Sequence, residues 1–216
     1  SFARINLEKE SIISCEAGAT TKELAEYALQ SNLTGAEIFY DIPSSIGGAV
    51  VMNAGASGEE IKDILIKVRY LDLADMNIKE IKRDEIGYEY RNSFFQKNTD
   101  KILLKAWFQL KKGDPIEISE KMESIKKKRW AKQPREYPNA GSVFKRPKGF
   151  YVGAMIDELD LKGYTIGGAQ ISEKHGGFII NKGNATGQDI LSIIKVVQDK
   201  VKAKFGVDLE IEQRII

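Results

Sequence analysis

The spacing of apolar residues predicts several amphipathic helices. In the segment TTKELAEYALQ, leucine and alanine recur at helical spacing, and Thr20 with Glu23 fits a capping box at its start. The segment ATGQDILSIIKVVQDKVKAKFG shows the same spacing over a longer stretch, with Thr186 as the expected N-cap and Gly206 as the expected end. The segments IEISEKMESIKKKRWAKQP and VGAMIDELDL are also predicted to be helical.

Other segments are rich in β-branched residues or alternate between apolar and polar positions, which is typical of strands. They are SIISCEAG, IKDILIKVRYLDL, NIKEIKRDEI, KILLKAWFQLKKGD, TIGGAQIS and GGFIIN, and the second and third are expected to pair around the turn ADMN. The tail VDLEIEQRII also alternates, so it predicts a final strand with two distinct faces. One face carries Glu210, Glu212 and Arg214, and the other carries Leu209, Ile211 and Gln213.

A glycine–aspartate–proline stop divides this pattern into two parts. Gly113, Asp114 and Pro115 end the last long strand of the first part and precede the helix with the basic run. Short strands mixed with a few helices on both sides of the stop indicate an α+β fold in two lobes. The predicted domains are 1–113 and 116–216.

The composition is that of an ordinary globular protein. Of the 216 residues, 42% are hydrophobic and 30% are charged, and the formal net charge is +2. This balance argues against a nucleic-acid-binding protein, whose domains usually have a pI above about 9. The basic run KKKRW at 126–130 therefore predicts a solvated helix face, with an anion-binding or nucleic-acid-binding patch as the alternative.

The chain has a single cysteine, Cys15, in a predicted strand. One thiol cannot form an internal disulfide, and no Cys/His cluster has zinc spacing, so we expect a reduced, cytoplasmic protein without a metal. No apolar run approaches the length of about 18 residues that a membrane helix needs. Because the chain opens at Ser1, without an initiator methionine or a signal-like core, we expect it to belong to a longer protein.

Two of the stretches that could carry chemistry lie in the first part of the chain. The stretch DIPSSIGGAVVMNAGASG has glycines that would let a backbone approach an anion or a flat ring, although its spacing is not that of a dinucleotide fingerprint. A plain glycine-rich turn is the alternative. The stretch YEYRNSFF carries Arg91, whose guanidinium either binds a carboxylate or phosphate or lies on the surface over an aromatic edge.

Three further candidates lie in the second part. The stretch PNAGSVFKRP holds Ser142 between two prolines that restrict the backbone, beside two cations. No G-x-S-x-G elbow surrounds this serine, so a hydrolase nucleophile is disfavoured. The lone histidine, His175, is expected to be a satisfied or exposed side chain when it is considered alone. In LEIEQRII, Glu212 and Arg214 share a strand face, where an ion pair adds little stability.

Taken together and in this order, the stretches resemble the UDP-N-acetylenolpyruvoylglucosamine reductase family, flavin enzymes of bacterial cell-wall synthesis. The family's glycine motif GIPGTVGGAxxMNAGAYG corresponds to DIPSSIGGAVVMNAGASG, and its YRxS, AGSVFKxP and LExEVRIIG motifs correspond to YRNS, AGSVFKRP and LEIEQRII. A fifth motif, LKGxxxGGAxxSxxHxxFIxN, corresponds to LKGYTIGGAQISEKHGGFIIN. The resemblance covers nearly the whole chain and points to the family's shorter subtype.

This resemblance implies a fold, two cofactors and a reaction. Residues 1–113 would form the second lobe of an FAD-binding domain of the vanillyl-alcohol-oxidase type, and residues 116–216 would bind the substrate. NADPH would reduce FAD, and the flavin would then reduce UDP-N-acetylglucosamine-enolpyruvate to UDP-N-acetylmuramate. A monomer is expected, without nucleic-acid or membrane partners.

The resemblance also implies roles for individual residues. Ser142 would donate a proton to the enolate carbon, while Arg91 and Glu212 would stabilise or polarise the enolate. Cofactor contacts would come from Ile42, Pro43, Ser44, Ser45, Gly47, Gly48, Asn53, Ala54 and Gly55. Substrate contacts would come from Tyr90, Lys145, Arg146, His175 and Arg214.

The chain departs from the family pattern in two places. Asp41, Ser44 and Ser45 replace the usual glycine and Gly-Thr pair, and the glycine-rich pyrophosphate segment of the family's first lobe is not found. We therefore expect these 216 residues alone to bind FAD weakly and to be inactive. A non-redox sugar-nucleotide-binding module and another FAD-dependent oxidoreductase of the same fold are the alternatives. The combination of Ser142 with an arginine and a glutamate favours the reductase.

Overall fold

The computed structural model describes residues 2–215 and divides the chain into two compact units, Ser1–Lys127 and Lys128–Ile216. Each unit has its own hydrophobic core. Both units combine helices with antiparallel strands, which confirms the predicted α+β class. The units divide inside the helix Pro115–Lys132, which begins at the predicted stop. The functional domains at 1–113 and 116–216 stay a prediction.

The first unit is built on a five-stranded antiparallel sheet. Its strands are β1 (Ile5–Lys9), β2 (Ile12–Glu16), β3 (Leu33–Thr34), β4 (Gly55–Ala56), β5 (Glu59–Glu60), β6 (Leu65–Asp72), β7 (Asn77–Lys82), β8 (Lys101–Gln109) and β9 (Lys111–Lys112). The large sheet has the order β1-β2-β8-β6-β7, and β3-β9 and β4-β5 form separate pairs. Strands β6 and β7 form the predicted hairpin around ADMN, with Asp72 opposite Asn77.

Among the described residues, four α-helices belong to or begin in this unit. They are α1 (Thr21–Gln30), α2 (Ile46–Met52), α3 (Phe94–Lys97) and α4 (Pro115–Lys132). The predicted capping box of α1 is confirmed, because Thr20 Oγ1 accepts from the Glu23 N–H and the Glu23 carboxylate accepts from the Thr20 N–H. Helix α2 packs against β2 and β8, whose residues Ile13 and Phe108 are fully buried.

The glycine-rich stretch is helical at its centre, although the sequence predicts no helix there and the alternative was a plain glycine-rich turn. Ser45 caps α2 by accepting from the Gly48 N–H, and Gly47 follows in the first turn. A Cβ on Gly47 would lie 3.2 Å from both the Cβ and the carbonyl oxygen of Ala17. The glycine thus permits close packing against the turn after β2, and this packing outweighs the low helix propensity of glycine.

As far as residue 215, the second unit has a four-stranded antiparallel sheet, two α-helices of its own and the end of α4. The strands are β10 (Asn139–Ser142), β11 (Thr165–Ile166), β12 (Ala169–Ile171) and β13 (Phe178–Asn181), in the order β10-β13-β12-β11. The helices are α5 (Val152–Glu158) and α6 (Gly187–Phe205), and α6 packs on β11 and β12. The predicted caps of α6 are confirmed at Thr186 and at Gly206, which is left-handed.

The prediction of a final strand along the tail VDLEIEQRII is wrong in its length. Within the tail as far as residue 215, only an isolated bridge between Phe144 and Ile211 forms, with hydrogen bonds of 2.8 Å on either side of it. In these bonds the Lys145 N–H donates to Glu210 and the Glu212 N–H donates to Val143. The ladder cannot extend far, because Pro147 follows two residues after Lys145 and has no N–H to donate.

Candidate active site

Ser142 lies at the end of β10, where the ladder with β13 contains a bulge. Asn139 is opposite Ile180 and Ser142 is opposite Phe178, so β10 carries one extra residue between these two pairs. Gly141, just before the serine, has a φ of 78°. Bulges of this kind turn a side chain out of the regular alternation and are frequent beside active sites. The Ser142 side chain is exposed to solvent.

The side chain of Asn139 braces this bulge. Its Nδ2 donates to the carbonyls of Pro134 at 3.0 Å and Tyr137 at 2.9 Å, and its Oδ1 accepts from the Gly141 N–H at 3.0 Å. The two prolines predict a rigid frame here, but the bonds that fix it come from Asn139, which was not among the predicted site residues. The Pro-Asn-Ala-Gly order was the available signal, because asparagine side chains commonly bond to nearby backbone groups in turns.

The segment after Ser142 runs directly beside Glu212. The Glu212 N–H donates to the carbonyl of Val143 at 2.8 Å, so two of the predicted catalytic residues lie on neighbouring backbone segments. On the other side of the bridge between Phe144 and Ile211, Lys145 Nζ forms an ion pair with Glu210. The Lys145 side chain is 24% exposed and its partner 69%. An acidic ligand at Lys145 would therefore compete with a solvent-exposed carboxylate.

The remaining predicted cations of this unit are on its surface. The Arg146 guanidinium lies 3.7 Å from the centre of the Tyr151 ring, and both side chains are exposed. Arg214 is also exposed. Arginine stacked on tyrosine keeps its N–H edges available to phosphate or carboxylate oxygens.

His175 lies in the turn between β12 and β13 and is half-buried. Its Nδ1 accepts from the Gly177 N–H at 3.0 Å. Its ring packs edge-on against the ring of Phe178, with 4.8 Å between the two ring centres. Burial lowers the pKa of this imidazole below its usual range. The neutral ring therefore carries its proton on Nε2, because Nδ1 is an acceptor. The prediction of a satisfied histidine is confirmed, and its role toward substrate stays a prediction.

In the first unit, the guanidinium of Arg91 is held by backbone carbonyls. Nη1 donates to the carbonyl of Asn53 at 3.2 Å and Nη2 donates to that of Gly55 at 2.8 Å. The guanidinium also lies over the Tyr90 ring, 4.8 Å from its centre. The side chain of Arg91 is only 17% exposed, so the surface interpretation is wrong.

A buried asparagine and a glutamate support these carbonyls. Asn53 has no exposed surface, and its Nδ2 donates to Glu60 Oε2 at 2.9 Å and to the Glu89 carbonyl at 3.1 Å. Glu60 Oε1 lies 3.8 Å from Arg91 Nη1, and Glu60 Oε2 pairs with Lys62 at 2.5 Å. Glu60 is not among the residues predicted from the sequence. No local signal marks it, because the approach to Arg91 that makes it a candidate joins residues far apart along the chain.

In the stretch predicted to contact the flavin, several backbone N–H groups already form hydrogen bonds with other groups of the protein. The Ile46 N–H donates to Ala19 and the Gly47 N–H donates to Ala17, and the Gly48 N–H donates to the Ser45 hydroxyl. These donors are therefore not presented to an anion, contrary to the expectation for a glycine loop.

Its exposed surface nevertheless fits a flat ring system. Pro43, Ser45 and Gly48 are exposed and small, so they present a surface that a planar group can approach. The Ser45 hydroxyl accepts from the Gly48 N–H, which leaves its own proton for a further acceptor. Their role as flavin contacts stays a prediction.

Two features are absent among the described residues 2–215. No group of three or more His, Cys, Asp or Glu side chains there could hold a metal ion. In the same part of the chain, no helix combines the length and apolarity that crossing a membrane requires.

Comparison with known families defines the class of protein. Residues 2–82 match the FAD binding domain model, and residues 133–216 match the C-terminal domain model of UDP-N-acetylenolpyruvoylglucosamine reductase. An FAD-binding domain thus precedes a reductase-type C-terminal domain, which confirms the fold class predicted from the sequence.

Individual relatives identify the family. The chain is 48% identical over 216 residues to a UDP-N-acetylenolpyruvoylglucosamine reductase of Caldanaerobacter subterraneus, covering 100% of the chain and 70% of the relative. It is 50% identical over 200 residues to that of Fervidobacterium nodosum, covering 92% of the chain and 64% of the relative. The chain belongs to the UDP-N-acetylenolpyruvoylglucosamine reductase family.

A solved structure shows the same fold. The crystal structure of UDP-N-acetylenolpyruvylglucosamine reductase from Thermus caldophilus matches with a TM-score of 0.85 at 31% identity, covering 99% of this chain and 74% of that chain. The chain thus spans about two thirds to three quarters of the length of these relatives.

Proposed function

We propose that this protein takes part in the NADPH-dependent reduction of UDP-N-acetylglucosamine-enolpyruvate to UDP-N-acetylmuramate, a step of peptidoglycan synthesis. The observation that carries the proposal is the placement of Ser142 on a braced bulge beside the backbone of Glu212, within the segment that matches the reductase C-terminal domain. A hydroxyl held in this way can deliver a proton to one position of a bound ligand.

FAD is the cofactor that fits the first unit. When bound, it would accept a hydride from NADPH and pass it to the substrate. Of the predicted contact residues, Pro43, Ser45 and Gly48 offer the exposed surface, and Ile42, Ser44, Gly47, Ala54 and Gly55 are half-buried around them. The FAD binding domain match over residues 2–82 includes this stretch.

The protein's own residues handle the charge and the proton. Hydride addition to the enolpyruvyl group places negative charge on the neighbouring carbon and its carboxylate. Arg91 is permanently charged and would stabilise this enolate, because its planar guanidinium matches a carboxylate. Ser142 would donate the proton that completes the reduction. Glu212 would orient the donor or relay the proton that replaces the one Ser142 gives up.

The cations of the second unit are proposed to bind the acidic nucleotide sugar. Lys145, Arg146 and Arg214 would meet the diphosphate and carboxylate, and Tyr90 of the first unit would contribute next to Arg91. His175 is neutral and donates through Nε2, which suits a contact with a phosphate or sugar oxygen.

A cytoplasmic monomer is part of the same proposal. The free thiol of Cys15 is buried, and burial raises its pKa to about 12, so it suits a reducing compartment as a packing residue. These 216 residues alone are expected to bind FAD weakly and to lack activity, because their relatives use a longer chain.

The proposal is tested by following the flavin spectrum of the protein expressed from its whole reading frame. NADPH should bleach the absorbance under anaerobic conditions, and UDP-N-acetylglucosamine-enolpyruvate should restore it. If NADPH leaves the spectrum unchanged while the sugar nucleotide binds, the protein is a binding module. If only oxygen restores the absorbance, the protein is another oxidoreductase of the same fold.

A further inference from the structure

We propose that Asn53 and Glu60 are positioning residues that fix the guanidinium of Arg91, and that the Asn53 side chain does not contact the flavin. The inference rests on the proposed function, in which Arg91 stabilises the substrate enolate. It assigns to Asn53 a different role from the cofactor contact that its place in the glycine-rich stretch suggests.

The backbone of Arg91 is in a conformation that arginine rarely adopts. Tyr90 and Arg91 form the centre of a tight turn that two backbone hydrogen bonds close. The Glu89 N–H donates to the Asn92 carbonyl at 3.1 Å, and the Asn92 N–H donates to the Glu89 carbonyl at 3.2 Å. Arg91 has a φ of 52°, where glycine or asparagine is usual. Its carbonyl accepts from Gln96 Nε2 at 2.7 Å, which holds the turned peptide. Strain of this kind persists where the surroundings over-determine it, often at functional sites.

The guanidinium is held by oxygens whose own positions are fixed. The bonds to the carbonyls of Asn53 and Gly55 define the plane of the guanidinium, and Glu60 adds a carboxylate oxygen 3.8 Å away. A bidentate contact with a carboxylate requires such a fixed plane. The orientation of Arg91 therefore depends on where these two carbonyls point.

Asn53 determines the direction of these carbonyls. It ends α2 in the left-handed conformation, with φ 47° and ψ 54°, and so turns the chain toward Arg91. Its side chain is fully buried and satisfied within the first unit, because Nδ2 donates to Glu60 and to the Glu89 carbonyl, and Oδ1 accepts from the Lys62 N–H at 3.4 Å. The bond to Glu89 also links Asn53 to the turn that carries Arg91.

Glu60 joins the two parts of this network. One carboxylate oxygen accepts from Asn53 and pairs with Lys62, and the other faces Arg91. The same carboxylate thus fixes the asparagine that orients the carbonyls and offsets part of the charge of the guanidinium. Because a misplacement of about 1 Å can cost about 10²-fold in rate, loosening this network should be visible in the step that Arg91 serves.

The test uses Asn53→Gly in the protein expressed from its whole reading frame. Glycine tolerates the left-handed backbone and removes only the side chain, so the helix end is preserved. Asn32→Gly is the matched control, because Asn32 also has a positive φ, of 54°, and is exposed. Glu60→Gln is the second variant, since it retains an acceptor for Asn53 and loses the charge beside Arg91.

We expect Asn53→Gly to slow reoxidation of the flavin by the enolpyruvyl substrate by about 10- to 100-fold. Its FAD affinity and its reduction by NADPH should stay at the level of Asn32→Gly. Glu60→Gln should slow the same half-reaction less. In a double-mutant cycle with Arg91→Lys, the effect of Asn53→Gly should largely disappear, because both changes disturb the same group.

Different failures lead to different conclusions. If Arg91→Lys leaves reoxidation unchanged, the role of Arg91 in the proposed function is wrong. If Arg91→Lys is slow and Asn53→Gly is normal, or if the two effects add, Asn53 does not act through Arg91. Loss of FAD from Asn53→Gly, with Glu60→Gln behaving as wild type, would instead make Asn53 a flavin contact and would overturn the inference.

Discussion

The backbone N–H of Glu212 donates to the carbonyl of Val143 at 2.8 Å, and Val143 directly follows Ser142. This bond places the predicted proton donor and the predicted carboxylate on neighbouring segments of the second unit. The position of Ser142 therefore depends on two supports, the tail segment that carries Glu212 and the side chain of Asn139.

The brace at Asn139 leads to the first prediction. Asn139→Asp keeps the oxygen that accepts from the Gly141 N–H and loses the two donor bonds to Pro134 and Tyr137. We expect a loss of about 1–3 kcal/mol in the free energy of unfolding, since each of the two lost hydrogen bonds contributes a net ~0.5–1.5 kcal/mol. Chemical denaturation followed by circular dichroism measures this loss.

The same substitution should also slow reoxidation of the flavin by substrate, because the Ser142 side chain is no longer held in one orientation. Reduction by NADPH should be unaffected, since that half-reaction does not use the serine. A variant with wild-type stability and wild-type reoxidation would show that Asn139 does not brace the bulge.

The single histidine gives a prediction about pH. Because burial lowers the folded-state pKa of His175, its ring resonances should titrate with a midpoint below the unfolded value of about 6.5. A backbone hydrogen bond and Asp157 raise the pKa and so oppose this shift, whereas Lys162 and Lys132 lower the pKa further. NMR of the imidazole carbons follows this titration without overlap, since the chain has one histidine. A midpoint above 6.5 would contradict the neutral, Nδ1-accepting ring.

This shift also affects stability. When the folded pKa is below the unfolded pKa, the unfolded chain binds more protons between the two values, so stability rises with pH across that window. The wild type should therefore lose stability relative to His175→Gln as the pH falls below about 6.5. Denaturation curves at a series of pH values compare the two proteins.

The carboxylate of Asp72, in the hairpin of the first unit, forms ion pairs with two lysines. This pairing leads to a second prediction, about how the stability of the protein depends on pH. Lys101 and Lys79 both bond to Asp72, and these hydrogen bonds hold the pKa of its carboxyl well below its usual range. The stabilisation is present above the unfolded pKa of about 3.9 and is lost as the pH falls through the folded pKa. Asp72→Asn should destabilise the protein near neutral pH, and its difference from wild type should shrink in acid.

Asp75→Asn is the control for this comparison. Asp75 pairs with the same Lys79, but its side chain is 41% exposed, whereas that of Asp72 is 8% exposed. Thermal unfolding at neutral and acid pH should show a clearly smaller effect for the control. Equal effects at the two positions would mean that the buried pair contributes no more than a surface ion pair.

Two glycines of the second unit should respond oppositely to alanine. A Cβ on Gly168 would overlap the carbonyl of Gly183 and the nitrogen of Ala185, which are backbone atoms, so Gly168→Ala should destabilise the protein by about 1–3 kcal/mol. Gly187, in the first turn of α6, has nothing within 4 Å of the corresponding position. Gly187→Ala should be stabilising by about 0.4–1 kcal/mol. Differential scanning calorimetry of both variants measures these stability changes, and changes of the same sign would contradict the prediction.

The sequence predicted the elements whose signals are local. Thr20 with Glu23, and Thr186 with Gly206, mark helix ends through bonds within a few residues, and these predictions are confirmed. Helix α2 was missed because its glycines have low helix propensity and its stability depends on packing against Ala17. That contact lies outside any local sequence pattern.

The candidate site divides in the same way. Ser142, Arg91 and Glu212 were found because five ordered motifs resemble one family. Glu60 was not found, because its bond to Asn53 and its approach to Arg91 depend on the fold of the first unit. The final strand was predicted too long, since alternation in the tail does not reveal that the partner segment ends at Pro147.

The central claim is that Ser142 donates a proton to the substrate, and the most direct measurement is stopped-flow spectroscopy of Ser142→Ala in the protein expressed from its whole reading frame. Reduction of the flavin by NADPH should stay near the wild-type rate, while reoxidation by UDP-N-acetylglucosamine-enolpyruvate should fall by about 10²–10⁴-fold. Ser142→Cys should retain more of the second rate than alanine, because a thiol can still donate. Slow reduction by NADPH with normal reoxidation in the alanine variant would contradict the role assigned to Ser142.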